Sequence, residues 1–254
     1  MSARPEPRPI EVRDLTVTYD RHPAVHHVSC RFEPGSLTAV VGPNGAGKST
    51  LIKSIIGLLR PVEGRVSTGG LSRRDIAYLP QQAEIDRSFP ITVADTVALG
   101  HWGRVGILRS IGRPLRDKVE EALGAVGLEG FERRPIGSLS SGQFQRVLFA
   151  RLLLQDAGVI LLDEPFNAID ARTTQDLLDL VGRWHGERRT VIAVLHDMEQ
   201  VRHHFPDTLL LARELVASGP TPECLTAANL LAARRMSERW QEDAAVCAPE
   251  RRRA

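Results

Sequence analysis

The chain is poor in cysteine: Cys30, Cys224 and Cys247 are the only three in 254 residues. They are scattered and form no CxxC pair, which argues against structural zinc and points to a reducing compartment. An excess of one charge is also lacking. The 33 basic and 31 acidic residues leave a net charge of +2, so no nucleic-acid partner is expected. No apolar run approaches the ~20 residues that span a bilayer. The opening "MSARPEPRPI" has no apolar signal core, so no secretory signal is expected. There is no internal repeat and no low-complexity stretch. A cytoplasmic globular protein is expected, with any membrane crossing left to other subunits. At 42% hydrophobic and 25% charged residues, the composition suits one large domain or two small ones.

Three short apolar runs are present: "LTAVVG" (37–42), "VILLDE" (159–164) and "TVIAVLH" (190–196). Each is nearly continuous and rich in β-branched residues, the pattern of strands buried on both faces of a parallel sheet. Helix-like segments follow them. Ligands of such sheets bind at the carboxyl ends of the strands, where this chain puts Gly42, Asp163 with Glu164, and His196. The N-terminal part differs. "IEVRDLTVTYD" (10–20) alternates, with Leu15, Val17 and Tyr19 on one face, and 25–33 and 64–68 are its candidate antiparallel partners. Residues 85–151 interrupt the strand–helix alternation with helical patterns at 92–102 and 116–128, and so predict an inserted helical subdomain. The core is expected over 8–84 and 152–220. One last helix is expected over 221–242, then a frayed tail ending "APERRRA".

"GPNGAGKS" (42–49) fits the phosphate-loop pattern GxxxxGK[ST], with a strand before it and "KSTLIKSIIGLL" as a helix after it. Glycines let successive N–H groups turn inward, and the helix start adds positive potential. Gly42, Asn44, Gly45 and Gly47 build the loop. Lys48 is expected to reach the β- and γ-phosphates, Ser49 to bind Mg²⁺, and Thr50 to touch the α-phosphate. Asp163 ends an apolar strand, where a carboxylate is costly without a cationic partner. The Mg²⁺ held by Ser49 is that partner. Glu164 points elsewhere and is expected to orient a water in line with the γ-phosphorus. His196 is placed for the γ-phosphate or that water, and Asp197 for the start of the next helix.

The stretch "LSSGQ" (139–143) opens a further helix, and Ser140-x-x-Gln143 reads as a capping box. Such a capped start presents its dipole to an anion. With the phosphate loop upstream, the acidic strand end 20 residues on and His196 beyond, the order resembles the nucleotide-binding subunit of ATP-binding-cassette (ABC) transporters, from about residue 10 to about 235. The resemblance implies a P-loop NTPase α/β fold: a RecA-like parallel-sheet core, an N-terminal antiparallel β subdomain and an inserted α-helical subdomain. It implies ATP and Mg²⁺ as cofactors and a second copy of the chain as partner. Ser140, Gly142 and Gln143 would then face ATP held by the partner's phosphate loop. Gln81, in "YLPQQ" (78–82), matches the glutamine that senses Mg²⁺ and the lytic water, in preference to Gln82. Asp170, in "NAID", matches the loop that crosses to the partner. Tyr19 matches the aromatic that stacks on adenine; the alternative is a strand residue packed beside Val17. Two positions depart from the family pattern. Ser141 stands where glycine is usual, which would be fatal only if the backbone there needs φ > 0, and its hydroxyl bears on closure of the shared site. "PFNAID" replaces the commoner Pro-Thr start after the glutamate.

Segments 89–102, 163–170 and 225–235 are similar to the zinc/manganese/iron branch of bacterial metal-ion transporters. This implies an import ATPase at the cytoplasmic face of the membrane, working with integral permease subunits and, indirectly, an extracytoplasmic substrate-binding protein. Zinc ranks first as cargo and manganese second. The alternative is a soluble ABC ATPase of the iron–sulfur cluster assembly type. His26, His27 and Cys30 are not expected to bind metal, because strand alternation puts the two histidines on opposite faces. His203 and His204 are likewise read as ordinary residues.

Overall fold

The computed structural model describes residues 8–20, 22–81, 86–101 and 113–242. The strands are β1 (Ile10–Tyr19), β2 (His22–Phe32), β3 (Leu37–Val41), β4 (Glu63–Ser67), β5 (Ile76–Leu79), β6 (Val159–Asp163), β7 (Thr190–Val194), β8 (Asp207–Ala212) and β9 (Glu214–Pro220). The α-helices are α1 (Lys48–Ile55), α2 (Val93–Ala98), α3 (Arg113–Ala125), α4 (Ser141–Gln155), α5 (Ala171–Gly186), α6 (Met198–His204), α7 (Thr221–Cys224) and α8 (Ala227–Glu242). They fall into two compact units, one of Leu71–Val191 and one of Arg8–Gly70 with the chain from Ile192 on, the division falling within β7.

In the second unit, β1 pairs antiparallel with β2 on one side and with β4 on the other. Its alternation is not continuous. Asp14 adopts φ 52, and the register shifts between Val12 and Leu15. The bulge moves the buried positions from Ile10 and Val12 to Leu15 and Val17. The other sheet of this unit runs β7-β3-β8-β9, with β3 parallel to β8 and β8 antiparallel to β9. All five residues of β3 are buried, as the continuous apolar run requires. Helix α1 is shorter than its sequence pattern. Gly57 at φ 74 ends it, with Leu58 N donating to Lys53 O at 2.8 Å and Gly57 N to Ser54 O at 3.0 Å, a Schellman stop.

The first unit carries the run β5-β6-β7, with β5 parallel to β6, and helices α2 to α5. Helix α3 starts at Arg113, with Pro114 early in its first turn, and gives way before Gly127 at φ 69. Helix α2 tightens into a 3₁₀ turn over Leu99–His101, where a side chain on Gly100 would meet the Arg151 carbonyl at 2.3 Å. Trp102 lies outside the described residues. Phe149 of α4 stacks on Trp184 of α5, with centroids 5.7 Å apart. Burying each such large apolar side chain contributes about 1.5–3 kcal/mol.

Two expectations are corrected. The final helix is two helices, α7 and α8, because the Thr226 hydroxyl accepts from Asn229 N at 3.2 Å and starts a new one. His26 and His27 are not held apart by alternation. His27 has φ 47, and this second bulge brings the two rings to 4.3 Å between centroids. Their nitrogens meet carboxylates: His26 Nδ1 with Glu214 at 3.1 Å and His27 Nδ1 with Asp14 at 2.8 Å. The Asp14 contact raises the His27 pKa above its usual value. Among the described residues no group of three or more His, Cys, Asp or Glu is arranged to hold a metal.

Candidate active site

In the second unit, the phosphate loop links β3 to α1. Gly42, Gly45 and Gly47 have φ 150, 76 and 88. Two of them are also needed for space. A Cβ on Gly42 would lie 1.9 Å from Leu211 O, and one on Gly47 would lie 2.2 Å from Ala24 O. Gly47 caps α1 without any side-chain acceptor, and the first turn holds no acidic residue. The start of α1 therefore carries positive potential and no anion of its own. Lys48 is buried, with Nζ donating to Gly42 O and Pro43 O, each at 2.9 Å. This holds the ammonium over the loop. A glycine-shaped cradle, a bare helix start and a central cation form a donor set that fits a polyphosphate.

His196 and Tyr19 belong to the same unit. Leu195 N donates to Val40 O at 3.2 Å, so the exposed His196 leaves the sheet beside the end of β3, where the loop starts. Asp197 caps α6, accepting from Glu199 N and Gln200 N. Tyr19 ends β1 and is 48% exposed, which removes the reading of a core residue packed beside Val17.

In the first unit, Asp163 closes β6 and is 1% exposed. Burial, with the nearby Asp163 charge, raises the pKa of the Tyr78 hydroxyl. Such a carboxylate at a strand end is a hard oxygen donor of the kind Mg²⁺ takes. Glu164 turns away with φ 53, a conformation that a non-glycine residue holds only when its surroundings enforce it. Its Oε2 accepts from Gln81 Nε2 at 2.6 Å and from Asn167 Nδ2. Gln81 and Glu164 are thus brought together. Asn167 is a partner the sequence reading missed; its place three residues after the glutamate, in a turn, was the available signal.

Ser140 caps α4. Its Oγ accepts from Gln143 N at 3.2 Å, and Gln143 Oε1 accepts from Ser140 N at 3.0 Å, closing the capping box. Ser141 is the first helical residue and is not among those with positive φ, so the backbone there does not require glycine. Gly142 is buried. A Cβ on it would come within 3.2 Å of Thr173 Oγ1 and 3.3 Å of Asp170 Oδ2. Asp170 caps α5, accepting from Thr173 N at 2.9 Å and Thr173 Oγ1 at 2.8 Å, and these bonds lower its pKa. A second missed residue, Gln145, donates from Nε2 to Pro165 O at 2.6 Å. It ties α4 to the residue after Glu164.

Comparison with known proteins agrees with this geometry. A family model described as ABC transporter matches residues 25–167. The chain is 41% identical to the manganese transport system ATP-binding protein MntA of Synechocystis over 228 residues, 87% of this chain and 88% of that one. It is 39% identical to the zinc transport system ATP-binding protein TroB of Treponema pallidum, over 85% of this chain and 83% of that one. A dimeric bacterial ABC transporter cassette superposes with a TM-score of 0.75 at 28% identity, over 84% of this chain and 98% of the cassette. The chain belongs to the ABC transporter family, as an ATP-binding subunit with the fold and ATPase character of that class.

Proposed function

We propose that the chain hydrolyses Mg-ATP in a head-to-tail pair of identical subunits and so powers uptake of manganese or zinc through separate membrane subunits. The observation that carries this is Glu164, a carboxylate at a strand end held by the side-chain amides of Gln81 and Asn167. Accepting a hydrogen bond from each fixes the orientation of the carboxylate, as a water-orienting residue needs. The phosphate loop binds the triphosphate through Lys48, Thr50 and its backbone amides, beside Gly42, Asn44, Gly45 and Gly47. Ser49, Asp163 and Gln81 are assigned to Mg²⁺, which supplies charge neutralisation when bound. His196 is assigned to the γ-phosphate and Tyr19 to the adenine.

The capped start of α4 is assigned to the partner's nucleotide through Ser140, Gly142 and Gln143, with Asp170 at the crossing loop. The dimeric cassette of similar fold supports a paired arrangement. Among the described residues no helix is long and apolar enough to cross a membrane, in keeping with peripheral attachment to permease subunits at the cytoplasmic face. An extracytoplasmic binding protein would deliver the cargo. The manganese and zinc relatives, at 41% and 39% identity, support a cargo from that pair.

Glu164→Gln keeps the two amide contacts and removes the base. It is expected to lower turnover at least about a hundredfold while retaining ATP, and to accumulate a dimer on gel filtration. Hydrolysis at the wild-type rate would remove Glu164 from this role. A pull-down from membranes that returns only soluble partners would overturn the transport reading, and uptake of radioactive manganese against zinc identifies the cargo.

A further inference from the structure

We propose that Arg213, at the turn between β8 and β9, positions the phosphate loop, and that Trp240 of α8 holds Arg213 in place, so that the last helix sets the affinity for ATP. This rests on the phosphate loop being the ATP site. The end of β8 and the turn after it support the loop at one point each. Leu211 O is the atom that a Cβ on Gly42 would strike, at 1.9 Å. Arg213 N donates to Ala46 O at 2.9 Å, in the middle of the loop between Gly45 and Gly47.

Arg213 itself has φ 63, a conformation that costs energy in any residue with a Cβ. It is held from three sides. Its carbonyl accepts from His26 N at 2.8 Å. Its Nη1 donates to Pro23 O at 2.8 Å. Its guanidinium lies over the Trp240 ring, 5.5 Å from the centroid. The His26 ring, paired with Glu214, meets the same indole edge-on at 5.2 Å. The neighbouring Ala24 O is the atom that forces glycine at position 47. Strand β2 and this turn therefore form the back wall of the loop, and Trp240 closes that wall from behind. Without the indole, Arg213 can relax to negative φ and carry its N–H away from Ala46 O. The loop amides then no longer converge on the phosphates.

The test uses the full-length protein, with a fluorescent ATP analogue to read affinity and steady-state hydrolysis to read kcat. Trp240→Ala is expected to raise Kd and KM for ATP about two- to fivefold, the range of a cation–π contact, with kcat unchanged. Trp240→Phe, which keeps a ring, should restore affinity. Arg213→Gly removes the guanidinium and its contacts with Pro23 O and Trp240, so nothing pins the turn at φ 63, and it should give the same shift. The double variant should be no weaker than the weaker single one, because both break one contact. Wild-type affinity in Trp240→Ala, or multiplying effects in the double variant, overturns the proposal. Should Trp240→Ala not fold, Arg213→Gly against Arg213→Lys decides it: affinity lost in Gly and regained in Lys supports the contact, and equal affinities refute it. Failure of the wild-type chain to bind the analogue would instead overturn the phosphate-loop reading, and so is separable.

Discussion

Helices α1 and α4 both begin at sites read as anion-binding, and they begin in opposite ways. The start of α1 has a left-handed glycine as its cap and no side-chain acceptor. The start of α4 is closed by its own serine and glutamine, each satisfying a backbone N–H of the other. A start without a capping side chain can take acceptors from a ligand and so can wrap a polyphosphate tightly. A closed start is stable without a ligand and offers a preformed surface, with a hydroxyl and a dipole, to whatever docks against it. The first suits resident binding. The second suits contact that is made and broken in each cycle.

The strongest way to break this contrast is to deny α1 its glycine. Gly47→Ala puts a Cβ 2.2 Å from Ala24 O at φ 88, so the loop must open. Losing two charge-assisted bonds to phosphate, about 1.5–3 kcal/mol each, predicts at least a hundredfold weaker ATP binding by titration. Next is Ser140→Arg, which fills the docking face of α4. Steady-state hydrolysis should fall on the order of a hundredfold, as for loss of a transition-state donor, while a single chain still binds nucleotide normally. Loss of binding as well would place Ser140 in the resident site. Ser140→Ala removes only the cap and should cost about 1 kcal/mol in urea unfolding. The smallest effect belongs to Ser141→Gly. Because the backbone at 141 does not need positive φ, stability should change by less than about 1 kcal/mol and hydrolysis by less than about fivefold.

The parts of the molecule that sequence reading found are those whose signal is local. Strands β3, β6 and β7 are continuous apolar runs, and the phosphate loop and the Ser140–Gln143 cap are contained within a few residues. The hairpin of β8 and β9 was missed because its turn carries Arg213 at φ 63, where Gly, Asn or Asp would have been the cue. Strand β5 has four residues and follows a charged turn, too short to show a period. The bulges at Asp14 and His27 broke the alternation on which the histidine placement relied. Gln145 was unreadable as a site residue because its partner, Pro165 O, is set by tertiary packing, whereas Asn167 was missed although its place three residues after Glu164 pointed to it. Ser141 shows the reverse case. One backbone angle, invisible in sequence, shows that the substitution meets no positive-φ requirement.

Gly142 lies flush against Asp170 and Thr173, and Gln145 is tied to the residue next to Glu164. The helix start assigned to a second subunit and the strand end carrying Glu164 are thus joined by close contacts, where a side chain at position 142 would press on Thr173 and Asp170. In the proposed dimer, a shift of Glu164 would be passed on to the mating face, so a partner that docks askew would also spoil the aim of the water, and idle hydrolysis by a mispaired subunit would be held down by fit.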